Sequence, residues 1–384
     1  MFYEGAISAD SHIVEPPNCY VDFIEPKFRD RAPRVVRHDS GRDQFIIEGM
    51  DSSVPFGFID GAGIKPSERQ RTLRTKTFDD VRPGAYQGLA RLADMDRDGI
   101  AAEVIYASVG MVLCTHPDVA FKAACFKAYN RWLQSFCQDA PKRLFGLAMT
   151  AVTSVDDAIK DFELAKSQGH VGMMMVGDPV YEDYDHPDYD ALWQCATDLE
   201  MPVCFHILTA KRGSIADAFK ADRGHPLNGF MGIIRAVQDI VGLFTLGGVF
   251  ERNPGLKLVS AESDAGWLAH YMYRMDHAVF NAKDDGLLKG LSKLPSDYMR
   301  ANVWATFQDD WVAFKMRDLV NFERLLWAND YPHSDSTWPR SQELLAQQAN
   351  DLSEVERHAI LRGNVIDLFN LPLEKIPAAA QQAG

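Results

Sequence analysis

Residues 325–339 read L-L-W-A-N-D-Y-P-H-S-D-S-T-W-P, and this stretch decides the fold. It begins as a short apolar run and ends in Asn, Asp and Pro, a pattern typical of a strand buried on both faces. At its carboxyl end it places Asp330 and, three residues later, His333. Polar groups at the end of a buried strand need a partner, which a metal or a substrate would supply. The stretch therefore predicts a parallel strand that ends in a binding site.

Seven other apolar runs of strand length occur earlier in the chain, and helical patterns alternate with them. The eight runs cover residues 6–12, 101–108, 144–150, 171–177, 202–208, 256–263, 303–308 and 325–330. Strands that alternate with helices predict parallel pairing, in an open sheet or a closed barrel. No G-x-G-x-x-G motif follows the first run, which disfavours the dinucleotide-binding open sheet. We therefore predict an α/β fold, a (β/α)₈ TIM barrel.

The predicted domain organisation is a single barrel over residues 1–371, with a C-terminal tail at 372–384. Residues 16–87 are rich in Pro, Gly and charge, and we expect them to form an N-terminal insertion after strand one, at the catalytic mouth. Within it, residues 65–82 are basic, and Arg69 and Arg74 are candidates for binding a substrate carboxylate or a phosphorylated carrier such as coenzyme A. The alternative is a solvated loop paired with local acids.

The amino-acid composition argues against nucleic-acid-binding, disulfide-linked and membrane-spanning proteins. The 384 residues are 46% hydrophobic and carry a net charge of −14, which argues against nucleic acid as a partner. Six cysteines without a C-x-x-C pair are typical of reduced core thiols. The sequence contains no pattern typical of a signal peptide and no uninterrupted apolar run of membrane-spanning length. We therefore expect a cytoplasmic protein without a membrane partner, and we expect a homo-oligomer.

Polar residues at the predicted strand ends form one set. In TIM barrels, site residues come from the carboxyl ends of strands, so these side chains should converge. Carboxylates and imidazoles together are typical metal ligands, and oxygen-rich sites favour manganese or iron while zinc remains an alternative. The predicted ligands of a divalent transition metal are Asp10, His12, His206, Glu262 and Asp330.

Several motifs at these positions resemble the amidohydrolase superfamily, in the branch with aminocarboxymuconate-semialdehyde and resorcylate-type decarboxylases. They are D-S-H at 10–12, F-H at 205–206 and N-D-Y-P-H at 329–333, with M-D-R-D-G-I at 95–100 and G-V-F-E-R-N-P-G-L-K at 248–257 as context. The resemblance implies that D-S-H is a metal motif and that Asp330 accepts or delivers a proton.

Two departures from the family pattern change what can be transferred. Glu262 stands where the family has a strand-six histidine, so it is a ligand, a base or a partner to a histidine. Strand four, V-G-M-M-M-V-G, has no lysine to bridge two metals, which favours one metal per chain, although Glu262 could bridge a second. His333 holds a substrate carboxylate, binds a second metal, or packs. Further substrate-binding candidates are His225, Trp267 and Trp338, with a turn role for the histidine and core packing for the tryptophans as alternatives.

The first functional hypothesis is a metal-dependent enzyme that hydrolyses or non-oxidatively decarboxylates a small cyclic or aromatic carboxylated substrate, with Asp330, Glu262 and His333 as catalytic residues. A rival hypothesis is a nonheme diiron monooxygenase on the same barrel, with a coenzyme A thioester as one substrate class. The third hypothesis is a non-catalytic binding protein, which the intact ligand set disfavours.

Overall fold

The computed structural model describes residues 1–214, 224–282 and 290–375. Part of the predicted tail, residues 376–384, lies outside the described residues. Eight parallel strands follow one another around a nearly closed barrel in sequence order, which confirms the predicted fold. They are β1 (Ala6–His12), β2 (Ile100–Tyr106), β3 (Leu144–Met149), β4 (Gly172–Met174), β5 (Val203–His206), β6 (Leu258–Ala261), β7 (Val303–Phe307) and β8 (Leu325–Trp327).

Several strands are shorter than their apolar runs because the backbone turns at the mouth. Four residues with positive φ follow β3, β5, β6 and β8: Val152, Leu208, Glu262 and Asp330. A left-handed residue cannot continue a strand ladder. The chain therefore leaves the sheet at the ends where site residues are expected.

The barrel closes between β8 and β1 at its carboxyl end. The Asp330 amide donates to the Asp10 carbonyl at 3.1 Å, and the His12 amide donates to the Tyr331 carbonyl at 2.6 Å. Deeper in this seam, the Asn329 amide donates to the Ser8 hydroxyl at 2.9 Å. These bonds bring the predicted ligands of β1 and β8 into register with each other.

Helices surround the barrel between the strands. The hydroxyl groups of Ser154 and Ser353 each cap the N-terminus of a helix, and Ser353 forms a capping box with Glu356. The α-helices of eight or more residues outside the insertion are Gly88–Asp98, Val119–Gln138, Val155–Ser167, Asp190–Asp198, Pro226–Leu246, Leu268–Ala282, Pro295–Asn302 and Ser341–Gln348. Shorter helical segments are Val109–Leu113, Val249–Arg252, Trp311–Lys315, Arg317–Val320, Glu354–His358, Ala359–Gly363 and Asn364–Phe369.

Among the described residues, one helix segment, Leu227–Leu246, is long and apolar enough to cross a membrane by length and composition. It belongs to the helix between β5 and β6, and its Val237, Val241 and Phe244 side chains are buried. Only 44% of its apolar window is buried, and Leu227, Phe230 and Met231 are exposed, so packing accounts for only part of its apolar character.

The segment between β1 and the first barrel helix has its own small structure. It contains a three-stranded antiparallel sheet, two α-helices and three short 3₁₀ helices. The strands are Arg34–Arg37, Asp43–Ile46 and Val54–Pro55, and the α-helices are Phe56–Ile59 and Pro66–Thr75. The amides of Gly61 and Ala62 donate to the Pro332 carbonyl at 2.8 and 2.9 Å. A side chain at Gly61 would clash with the Ser334 backbone, because a Cβ there would lie 2.8 Å from its Cα. The insertion thus packs tightly against the loop that carries His333.

Arg91 ties the first barrel helix to the same end of the barrel. Its guanidinium is fully buried, pairs with Glu103 at 2.7 Å and donates to the carbonyls of His12 and Tyr331 at 2.9 and 3.2 Å. Because removing one partner of a buried ion pair typically costs about 3–5 kcal/mol, this contact holds the seam firmly.

Candidate metal centre

The five predicted ligands converge at the carboxyl end of the barrel. His12 Nε2 lies 3.3 Å from Asp10 Oδ1, 3.3 Å from Glu262 Oε2 and 3.6 Å from Asp330 Oδ1. His206 Nε2 lies 3.1 Å from Glu262 Oε2 and 3.7 Å from Asp10 Oδ1. Ligand atoms about 2.1 Å from a common metal would stand roughly 3.0–3.4 Å from their neighbours. The spacing therefore suits a shared cation.

The atoms that converge lack hydrogen-bond partners although they are buried. In the part of the chain that the structure describes, the unpartnered atoms here are Asp10 Oδ1, His12 Nε2, His206 Nε2, Glu262 Oε2 and both Asp330 carboxyl oxygens. Buried polar atoms are nearly always satisfied, and an ion is one of the few explanations for such a group. A divalent metal fits this set, because it would satisfy the atoms together.

Both histidines present the correct nitrogen to this centre. His12 Nδ1 lies 3.0 Å from the Ala107 carbonyl, and His206 Nδ1 lies 3.0 Å from the Ile207 carbonyl. A carbonyl only accepts, so Nδ1 carries the proton and Nε2 of the neutral ring keeps its lone pair. Carbonyl partners of this kind orient metal-binding histidines.

The cluster of carboxyl groups at the centre also favours the binding of a cation. Burial lowers the pKa of His206, but Asp10 and Glu262 outweigh it and raise that pKa to about 10. Burial raises the pKa of Asp330 well above its usual value, and the negative charges of Glu262 and Asp10 raise it further. Three carboxyl groups therefore compete for positive charge within one small volume.

The backbone at two carboxylates is strained. Glu262 has φ +51° and Asp330 has φ +53°, a region that residues other than glycine rarely adopt. Each such residue costs about 1–3 kcal/mol and persists only where its surroundings hold it. The Asp330 amide is held by the Asp10 carbonyl, and the Glu262 amide by the Thr306 hydroxyl at 2.8 Å.

His333 lies beside the centre with its ring stacked on His12, the ring centroids 3.9 Å apart. The Ser108 hydroxyl donates to the Ile13 carbonyl at 2.6 Å, so it accepts from His333 Nε2 at 2.8 Å. His333 Nδ1 is therefore the unprotonated nitrogen of the neutral ring, and it lies 3.0 Å from Asp330 Oδ1. This nitrogen is available to a metal, a proton or a substrate.

The two predicted arginines occupy different sides of an exposed helix, Pro66–Thr75. Burial raises the pKa of Asp335, in the loop after His333, and the charge of Glu262 raises it further, while the positive charge of Arg69 acts in the opposite direction. Arg69 therefore lies near the mouth. Arg74 is five residues further along and about 140° around the helix axis, so it cannot share that face. That Arg74 binds substrate stays a prediction, and the helix geometry gives it no support.

The aromatic and histidine candidates also separate. Trp267 stays close to the centre, because its indole donates to the carbonyls of Ser263 and Asp264 just after Glu262. Trp338 is 3% exposed and its ring is covered by arginines, so its predicted substrate contact is corrected to a packing role. His225 is exposed and caps a helix by accepting from the Leu227 amide, as expected for its alternative role in a turn, and its predicted substrate contact stays a prediction.

Two hydroxyl residues at this site, Ser108 and Thr306, were not predicted from the sequence. Thr306 donates to Asp10 Oδ2 at 2.7 Å, and Ser108 fixes the His333 ring. Threonine is an ordinary strand residue, and serine is an ordinary strand-end residue, so neither stands out in a single sequence. The available signal is that each is a polar residue at the carboxyl end of a predicted barrel strand.

Comparison with known families matches residues 66–371 to the amidohydrolase family. The chain belongs to the amidohydrolase family. The resemblance inferred from D-S-H, F-H and N-D-Y-P-H is thereby confirmed.

Three relatives illustrate the match. The decarboxylase orsB of Emericella nidulans is 22% identical over 305 residues, covering 75% of this chain and 91% of that protein. Amidohydrolase map2389c from Mycobacterium avium subsp. paratuberculosis superposes with a TM-score of 0.78 at 20% identity, covering 96% of this chain and all of that one. The 5-carboxyvanillate decarboxylase LIGW2 from Novosphingobium aromaticivorans, solved with bound manganese, gives a TM-score of 0.68 at 19% identity, covering 96% and 97%. At these identities the solved structures establish the fold alone.

Proposed function

We propose that this protein is a metal-dependent decarboxylase that removes carbon dioxide, without oxidation, from a small aromatic or cyclic carboxylated substrate. The observation that carries the proposal is the cluster of buried ligand atoms that have no hydrogen-bond partner in the described part of the chain. His12 belongs to two close groups of potential ligands, one with Asp10 and His206 and the other with Glu262, Asp330 and His333. Membership of the amidohydrolase family supports an enzyme, and the decarboxylases among its relatives favour this reaction over hydrolysis.

Asp10, His12, His206 and Asp330 would hold one divalent metal, with Glu262 as a further contact. A metal bound there would polarise a substrate oxygen and lower the pKa of a bound water. The oxygen-rich donor set favours manganese or iron over zinc. Manganese is also the metal bound in the solved 5-carboxyvanillate decarboxylase.

The reaction needs a proton and no oxidant. A proton bonds to the substrate carbon that carries the carboxylate, the carbon–carbon bond breaks, its electron pair returns to the ring, and carbon dioxide leaves. We assign the proton transfer to Asp330, because neither of its two buried oxygens has a hydrogen-bond partner among the described residues. Its Oδ1 also lies 3.0 Å from His333 Nδ1, so a proton can pass between the two side chains.

Arg69 and Trp267 are the proposed substrate-binding residues. Arg69 brings positive charge to the loop after His333, where a second carboxylate or a phenolate of the substrate would meet it. Trp267 offers an aromatic face beside the residues that follow β6. The protein itself is acidic, so a local cation is needed to receive an anionic ligand.

Hydrolysis would use the same metal and the same carboxylates, with Glu262 as the base. The named relatives give no support to the diiron monooxygenase. We further propose a cytoplasmic homo-oligomer that has neither nucleic acid nor a membrane as partner; light scattering coupled to size exclusion would measure the oligomer.

The experiment is a turnover assay of manganese-loaded protein under strict exclusion of oxygen. The panel contains 5-carboxyvanillate, 2,6-dihydroxybenzoate and related aromatic acids, together with cyclic amides and lactones. We expect one aromatic acid or more to release carbon dioxide in equal amount with the decarboxylated product. Turnover restricted to the amides or lactones would replace decarboxylation by hydrolysis. Turnover seen only in a parallel assay with oxygen would restore the oxygenase.

A further inference from the structure

We propose that Thr306 is a positioning residue that sets the metal affinity of the centre through its hydroxyl group. The proposal rests on the proposed metal site and adds to it a residue that touches neither metal nor substrate. Thr306 lies on β7 and is completely buried, so its hydroxyl has no access to solvent.

The directions of its two hydrogen bonds are fixed. The Glu262 amide lies 2.8 Å from Thr306 Oγ1 and can only donate to it. The hydroxyl proton is therefore free to donate to Asp10 Oδ2, 2.7 Å away. One hydroxyl thus joins a carboxylate of β1 to the backbone that follows β6.

The bond to Asp10 decides which oxygen faces the centre. With Oδ2 engaged by Thr306, Oδ1 is the oxygen without a hydrogen-bond partner among the described residues, and it lies 3.3 Å from His12 Nε2. Without the hydroxyl, Oδ2 would be a buried acceptor with no donor, and the carboxylate would gain by rotating away from its ligand position.

The bond to Glu262 supports its strained backbone. The ladder between β6 and β7 ends at the pair Ser260 and Ala305, so the Glu262 amide lies beyond it. The Thr306 hydroxyl takes the place of a ladder carbonyl for this amide. It thereby helps to hold the φ of +51° that directs Glu262 Oε2 to within 3.1 Å of His206 Nε2.

The test uses two pairs of variants that differ by the hydroxyl. Thr306→Val replaces the hydroxyl of the wild type by a methyl group, and Thr306→Ser differs from Thr306→Ala by the hydroxyl alone. Manganese dissociation constants are measured by the electron paramagnetic resonance signal of free Mn²⁺, with thermal unfolding of the metal-free chains alongside.

We expect the two variants without a hydroxyl to bind manganese about 10–100-fold more weakly than their partners, the range typical for residues that orient metal ligands. Thr306→Ser should retain affinity within about threefold of wild type on the same basis. Should Thr306→Val fail to fold, the serine and alanine pair decides alone.

Equal affinities across the set, or weak binding by both serine and alanine, would overturn the proposal, because the second pattern follows side-chain volume. Failure of the wild type itself to bind manganese, or iron and zinc in its place, would instead overturn the proposed metal site.

Discussion

The surroundings of Asp330 disfavour the ionised form of its carboxyl group. Burial and the neighbouring carboxylates raise its pKa, its φ is +53°, and neither carboxyl oxygen has a hydrogen-bond partner among the described residues. A position maintained at such cost is typical of function rather than of stability.

Replacement of Asp330 by Asn is expected to lower turnover by about 10²–10⁴-fold, because it removes a metal oxygen and the proposed proton carrier. The metal-free variant should unfold at or above the wild-type temperature, since a repelled carboxyl becomes neutral. Steady-state kinetics and thermal melts measure both, with Asp318→Asn on the exposed surface as control. Near-normal turnover by the folded, metal-loaded variant would remove Asp330 from the mechanism.

The buried His170, before β4, should make the free energy of unfolding depend on pH. Burial lowers its pKa to about 4, whereas the unfolded value is 6.5. The unfolded chain therefore binds a proton first, so this stability is present above pH 6.5 and is lost as pH falls towards 4. Between pH 7 and pH 5, the loss from this group is about 2 kcal/mol. Urea unfolding should show a shallower pH slope for His170→Gln by that amount; parallel slopes would contradict the assignment.

At the scale of elements, the strands were predictable because their order and apolar character are local properties. The ends of β4 and β8 were not, since the chain leaves the sheet for tertiary reasons, such as the positive φ at Asp330. The direction of a side chain on an inserted helix was also out of reach. Arg69 and Arg74 look alike in sequence, and only the folded chain shows that the charge of Arg69 acts on Asp335.

In the site, too, local sequence patterns were predictable and tertiary contacts were not. Asp10, His12, His206, Glu262 and Asp330 could be brought together because barrel strands share one carboxyl end. Trp338 could not be assigned correctly, because the arginines that cover it come from the insertion and from the first barrel helix.

The insertion helix gives a prediction with a matched control. Arg69→Gln should raise KM about tenfold with little change in kcat, because it removes binding that the ground and transition states share. The KM of the wild type should also rise with salt, and that of Arg69→Gln less so. Arg71 lies about 160° around the helix from Arg69, and Arg71→Gln should leave KM unchanged. Equal increases in KM from the two substitutions would show that net charge, and not a specific contact of Arg69, is responsible.

At the scale of the whole molecule, one end of the barrel is fixed from several directions. The seam between β8 and β1, the buried pair of Arg91 with Glu103, and the insertion all meet behind the proposed ligands. This arrangement holds ligands from four strands at the spacing that one metal requires. It also keeps three carboxyl groups close together, where a bound cation would balance their negative charge.

The most direct test is the metal content of the chain, measured by mass spectrometry after loading with manganese and removal of free metal. We expect one metal per chain in the wild type, a large loss in His206→Ala, and full occupancy in His277→Ala, which changes an exposed histidine on the helix Leu268–Ala282. No metal in the wild type, two metals per chain, or full occupancy in His206→Ala would contradict this expectation.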